Sequence, residues 1–249
     1  MLDLKGKTVL VTGASSGIGQ QTAIYLTKVG AKVVITGRNE ERINETYKQL
    51  EGNGHLKIKA DLTQQEDVKK IFACSKRNNI KFNGLVHCAG TPCVMPLKAI
   101  TKEALLNSFD VNYFSFISLV NEFIKKSNSE NGSSIVALSS EIVRHPRNFE
   151  LAYSTSKAAL EASLPIIAIE CKDRGIRANA VGIGYVKAGM TLTSIKKYDN
   201  EEILNKEVIE KTLFGWSDSI DIAKNVTFLL CDESKLINGR CINVDGGIF

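Results

Sequence analysis

"KTVLVTGASSGIG", residues 7–19, is the stretch on which the fold turns. Its first half, "TVLVTG" at 8–13, is a short apolar, β-branched run of the kind that forms a buried strand. Its second half places Gly13, Gly17 and Gly19 in the spacing GxxxGxG, and a helical pattern then runs through "GQQTAIYLTKVG" to Gly30. A glycine in such a turn accepts positive φ and lets a ligand approach the backbone. The start of the helix offers free N–H groups and the positive end of its dipole to a phosphate. Ser15 and Ser16 can add hydroxyl hydrogen bonds, and Ile18 lies between the last two glycines. A glycine-rich turn without a ligand has the same composition. Its position between strand and helix is what favours a dinucleotide pyrophosphate, although the spacing is not GxGxxG.

Working outward, the same alternation continues to the end of the chain. Strands are predicted at 32–37, 55–62, 83–90, 133–140, 177–184 and 241–247, which with the first makes seven. Helices are predicted from Glu40 to Leu50, over 64–78, from Thr101 to Lys126, from Tyr153 to Arg174 and over 218–231. Residues 188–212 have weaker patterning and are expected to form a mobile substrate loop with short helices. Strands separated by helices imply parallel strands. No linker or repeat divides the chain. The expectation is an α/β fold: one doubly wound, Rossmann-type domain over 1–249, with a mostly parallel seven-stranded sheet between helices.

Composition narrows the function. The chain has 249 residues, is 43% hydrophobic and carries a formal charge of +5, with no run of five like charges. This suits an anionic ligand and does not point to nucleic acid. Six cysteines at 74, 88, 93, 171, 231 and 241 show no CxxC spacing, so reduced thiols are expected rather than disulfides or a metal site. No apolar run reaches a membrane span, and the N-terminus enters a strand directly, so a cytoplasmic protein is expected.

The second strand ends "VITGRN", with Arg38 where an NAD site places an acid. A guanidinium there can take the 2′-phosphate of NADP bidentately, so NADP(H) is expected over NAD(H). Asp61, at the end of the third strand, either meets the adenine amine or caps the helix that follows "LTQQED". In "LAYSTSKAAL", residues 151–160, Tyr153 and Lys157 stand at i and i+4, on one helix face. A nearby cation lowers a phenol pKa, which suits a general acid or base. The same pair also occurs on ordinary surface helices.

These segments together resemble the short-chain dehydrogenase/reductase family over essentially the whole chain, from "KTVLVTGASSGIG" to "INVDGG". The chain overall resembles the β-ketoacyl-acyl-carrier-protein reductases, which share the "DIAKNVTFLLCDES…NGRCINVDGG" type of C-terminus with many other subfamilies. The resemblance implies a catalytic set of Asn112 in "FDVN", Ser140, Tyr153 and Lys157, with Ser140 standing 13 residues before Tyr153. Ser140 would hold the substrate oxygen, Tyr153 would give it a proton, and Lys157 would lower the Tyr153 pKa and bind the nicotinamide ribose. Asn112 would hold a water linking Lys157 to solvent. The resemblance further implies cofactor contacts from Leu62, from Cys88, Ala89 and Gly90 of "HCAG", and from Gly184 and Val186. It implies no metal. The implied activity is NADP-dependent hydride transfer between nicotinamide and a carbonyl or secondary alcohol, with a 3-oxoacyl thioester among the candidates. A sugar or polyol dehydrogenase of polysaccharide synthesis and a non-catalytic cofactor-binding regulator are the alternatives. A homodimer or homotetramer is expected, with a small-molecule substrate, anionic or carrier-bound, as partner and neither nucleic acid nor membrane.

Three departures from the family pattern stand out. Ala188 occupies the position of a Thr that meets the nicotinamide carboxamide; Thr191 or Thr193 could replace it. Pro165 lies inside the helix that packs between subunits in the family, and predicts a kink. The segment "EIVRHPRNFELA" carries Arg144, His145 and Arg147, either as a solvated basic loop or as a site for an anionic substrate group.

Overall fold

Alternate residues of each central strand enter different cores. The first strand, β1 (Thr8–Thr12), sends Leu10 into one apolar cluster and Val9 and Val11 into the other. The second, β2 (Lys32–Gly37), divides Val34 from Val33 and Ile35 in the same way. A strand buried on both faces needs apolar side chains at every position, which explains the continuous runs in the sequence. The computed structural model describes residues 2–188 and 201–249.

The remaining strands are β3 (Leu56–Lys59), β4 (Phe82–His87), β5 (Ser129–Ser140), β6 (Arg177–Ile183) and β7 (Cys241–Val244). They form one sheet in the order β3-β2-β1-β4-β5-β6-β7, and every pairing is parallel. The helices are α1 (Gly17–Lys28), α2 (Glu40–Tyr47), α3 (Gln65–Arg77), α4 (Lys102–Phe109), α5 (Ser115–Phe123), α6 (Leu151–Glu170), α7 (Glu201–Lys211) and α8 (Ser219–Leu230). Val68 and Ile71 of α3, Phe116 and Phe123 of α5 and Leu160 and Leu164 of α6 fill the first cluster. Ala23 and Leu26 of α1 and Ile222, Val226 and Leu229 of α8 fill the second. The seven-stranded doubly wound sheet is therefore as expected, and it is wholly parallel.

Several boundaries differ from the expectation, each for a local reason. The third strand begins at Leu56 because the ring of His55 takes the Val33 N–H at 3.1 Å in place of a backbone partner. The single helix expected from Thr101 to Lys126 is two helices joined by a π-turn at Asp110–Phe114. Pro165 does not divide α6; the helix continues through it to Glu170. Of the loop expected at 188–212, residues 189–200, including Thr191 and Thr193, lie outside the described residues. Glu201–Lys211 form α7. No helix among the described residues is long and apolar enough to cross a membrane.

Candidate active site

Strand order reverses between β1 and β4, and their C-terminal ends open there into a cleft of about 730 Å³. Every residue expected to contact a cofactor lines it: Gly13, Ser15, Ser16, Gly17, Ile18, Gly19, Arg38, Asp61, Leu62, Cys88, Ala89, Gly90, Tyr153, Lys157, Gly184 and Val186. Ser140 lines it as well. Asn112 does not; it is fully buried behind the wall.

At the phosphate end, Gly13 adopts φ +64° and a Cβ there would lie 2.7 Å from the Ala89 nitrogen, so only glycine lets the β1–α1 turn lie against the end of β4. Ser16 caps α1 in an extended conformation with no side-chain cap hydrogen bond, and the first turn carries no acid. The helix therefore presents uncapped amides and an uncompensated positive end to the cleft, as a pyrophosphate requires. The residues present fit a dinucleotide.

At the far end lie Arg38, Asn39, Arg42, Asp61 and Thr63. No carboxylate among the described residues pairs with Arg38 or Arg42. The first acid after Arg38 in the chain, Glu40, is drawn to Lys59 at 3.6 Å. Arg42 was not singled out in the sequence; its place one turn into α2, whose cap Asn39 accepts the Arg42 N–H at 2.9 Å, brings it to the same edge as Arg38. Asp61 does not cap α3. It accepts the N–H and hydroxyl of Thr63, at 3.0 and 2.8 Å, and so fixes the turn before the helix, whose cap is Gln64.

At the inner end, Ser140 closes β5 while Tyr153 and Lys157 come from the first two turns of α6. The Ser140 and Tyr153 side chains are hydrogen-bonded to each other. Burial pushes the Tyr153 phenol up to about 12, against the opposing pull of that hydrogen bond. Lys157 donates to the Leu138 carbonyl at 2.7 Å, and its Nζ lies 5.9 Å from the centre of the Tyr153 ring. The expected acidification of Tyr153 by Lys157 is thus not seen; the ammonium is turned to the strand, and burial governs the phenol. Burial also brings Lys157 down to about 8, against the favourable influence of Cys88 and Glu161. A neutral phenol beside a buried cation is arranged to give up a proton to an oxygen that becomes negative.

Asn112 occupies the π-turn. Its Oδ1 accepts the Thr91 N–H at 2.8 Å, and its Nδ2 donates to the Thr91 carbonyl at 3.1 Å and to Ser156 at 3.0 Å. It ties the loop after Gly90 to α6 at Ser156, the residue before Lys157. Ser139, the neighbour of Ser140, donates to Glu161 at 2.5 Å and has a structural place. Burial pushes the Cys88 thiol up to about 12, which leaves it inert as a nucleophile. No group of three or more His, Cys, Asp or Glu among the described residues could hold a metal.

The basic segment resolves into two different arginines. Arg144 is held bidentately by Glu161, at 3.2 and 2.7 Å, outside the cleft. Arg147 lines the cleft, pairs with Glu141 and lies over the Tyr185 ring at 4.8 Å. Each guanidinium already has a carboxylate, so of the two readings of this segment the open anion site is not what the loop forms. Glu141 and Tyr185 were missed in the sequence; their signal was adjacency, to Ser140 and to Gly184. Ala188 lines the cleft, its N–H bonded to the Val186 carbonyl at 2.8 Å. Trp216 meets Tyr185 edge-on at 6.0 Å and donates to Asn205 at 2.8 Å, bracing the cleft wall, whereas Phe214 is exposed.

Residues 13–248 match the family model described as enoyl-(acyl carrier protein) reductase. The chain is 32% identical over 248 residues to the 3-oxoacyl-[acyl-carrier-protein] reductase FabG of Rickettsia bellii, covering 100% of this chain and 99% of that protein. It is also 32% identical to the glucose 1-dehydrogenase of Gluconobacter oxydans, covering 98% and 92%. A solved short-chain type dehydrogenase/reductase from Mycobacterium ulcerans superposes with a TM-score of 0.89 at 25% identity, covering 99% of this chain and 90% of that one. With this sheet order, this cleft and these relatives, the chain belongs to the short-chain dehydrogenase/reductase family of oxidoreductases.

Proposed function

We propose that the protein is an NADP(H)-dependent reductase of a carbonyl group, or dehydrogenase of the matching secondary alcohol, with a 3-oxoacyl thioester as the first candidate substrate. The observation that carries this is the cleft itself. One end has an uncapped helix start and two arginines that no carboxylate among the described residues pairs with, and the other has the Ser140–Tyr153 hydroxyl pair beside buried Lys157. Bound NADPH supplies the hydride. The α1 amides with Ser15 and Ser16 hold the pyrophosphate, Arg38 the 2′-phosphate, and Lys157 the nicotinamide ribose. Ser140 holds the substrate oxygen, and Tyr153 gives it a proton. Asn112 keeps the loop after Gly90 tied to α6 at the residue before Lys157.

The protein should form a homodimer or homotetramer, because α6 leaves Ile166 and Ile169 exposed on its outer face; a monomer in sedimentation velocity would contradict this. The function is tested by steady-state turnover of NADPH against ketones, keto-sugars and acyl thioesters, and of NADP⁺ against alcohols. Turnover of at least one class is expected. Cofactor binding without turnover of any would favour a regulatory role.

A further inference from the structure

Arg147 and Glu141 form an ion pair in the wall of the cleft that begins one residue after Ser140. Glu141 is only 2% exposed, while the Arg147 side chain is 32% exposed, so the guanidinium is what an incoming molecule meets. Tyr185 supports its flat face, and Glu150 lines the same region of the cleft. Ion pairs this buried are a weak source of stability, because desolvation offsets much of the attraction. The pair's position suggests a different use.

Resting on the carbonyl-reductase reading above, we propose that Arg147, with its charge balanced by Glu141, is a specificity residue that binds a second, neutral oxygen of the substrate and rejects a free carboxylate. A guanidinium carries five N–H donors in a fixed fork, which suits a carbonyl or hydroxyl oxygen. A substrate anion would have to compete with Glu141 for that fork and would face the like charges of Glu141 and Glu150. A neutral oxygen shares the fork with Glu141 without meeting that like-charge repulsion. Because the wall starts beside the group that holds the reacting oxygen, the second oxygen belongs a few bonds from the carbonyl carbon. The carbonyl of a 3-oxo ester or thioester meets this description, and so does the hydroxyl of a hydroxyketone.

The test is a matched series reduced with NADPH: a 3-oxo ester, the corresponding 3-oxo acid, an alkyl ketone lacking the second oxygen, and a hydroxyketone. The ester, the hydroxyketone or both should exceed the acid and the alkyl ketone by tenfold or more in kcat/KM, and which of them does identifies the source of the oxygen. Arg147→Leu should collapse that advantage. Glu141→Gln leaves the guanidinium uncompensated and should shift the ester-to-acid ratio about tenfold toward the acid. NADPH binding in each variant reports an intact fold, and Arg147→Lys, which keeps charge but loses the fork, serves if the leucine variant does not fold. An acid or alkyl ketone used as well as the ester and hydroxyketone would overturn the inference while leaving the reductase reading standing. So would an unchanged ester-to-acid ratio in folded Glu141→Gln. Absence of turnover on every arm would overturn both.

Discussion

His87 is buried at the end of β4, with Nδ1 3.1 Å from the Thr12 hydroxyl, its ring against Phe116, and no hydrogen-bond partner for Nε2. Burial, with a smaller influence from Lys157, pulls its pKa down to about 3. The unfolded chain binds this proton near the ordinary value of about 6.5, so between pH 6.5 and 3 the unfolded state holds more protons than the native state. Stability is therefore lost as pH falls through this window, by about 1.4 kcal/mol per pH unit from this one group. His87→Asn should shrink the stability difference between pH 7 and pH 5 by about 2 kcal/mol, as read from urea unfolding at the two pH values. Arg38 gives the second prediction at this scale. A charge-assisted hydrogen bond contributes about 1.5–3 kcal/mol, so NADPH should bind at least about tenfold more tightly than NADH. Arg38→Asp should remove that preference; titrations showing unchanged selectivity would reassign the 2′-phosphate to Arg42 or elsewhere. That Ser140, Tyr153 and Lys157 share one cleft was legible from the family resemblance and from the single helical turn between Tyr153 and Lys157. The direction of the Lys157 side chain was not, since it depends on a carbonyl of Leu138 contributed by another element.

Among the elements, the sheet was the most readable, because strands buried on both faces must be apolar throughout and glycine or polar turns end them. The π-turn at Asp110–Phe114 was not readable: the helical pattern passes through it unbroken, and only tertiary partners make the extra residue worthwhile. Those partners meet at Asn112, whose amide satisfies both backbone groups of Thr91. Asn112→Ala should leave these part-buried groups without their side-chain partner and lower stability by about 1–2 kcal/mol, with weaker NADPH binding because the Gly90–Thr91 loop loosens. Denaturant unfolding and cofactor titration of the same variant check both effects; a variant of unchanged stability would mean that the tie is redundant. Pro165 is a second case in which tertiary packing acts on a local signal. The proline does not end the helix: α6 is anchored on both sides of it by Leu160, Leu164 and Ala168 and runs on to Glu170.

At the scale of the molecule, the doubly wound topology collects segments far apart in the chain at one sheet edge: the glycine turn after β1, the arginines after β2, the "CAG" end of β4, Ser140 after β5 and Gly184 after β6. The cofactor half of this cleft was legible because backbone geometry and charge leave a spacing in sequence. The substrate half was not, because its wall is made of single residues such as Glu141, Arg147 and Tyr185 that act only through packing across loops. The central claim is that Tyr153 delivers the proton as hydride reaches the substrate carbon. Its most direct test is single-turnover oxidation of bound NADPH by a carbonyl substrate in Tyr153→Phe, which keeps the ring and removes only the hydroxyl. The account predicts a rate lower by about 10²–10⁴-fold with NADPH affinity nearly unchanged. A variant that keeps more than about a tenth of the native rate, against an acid contribution of about 10²-fold or more, would contradict it.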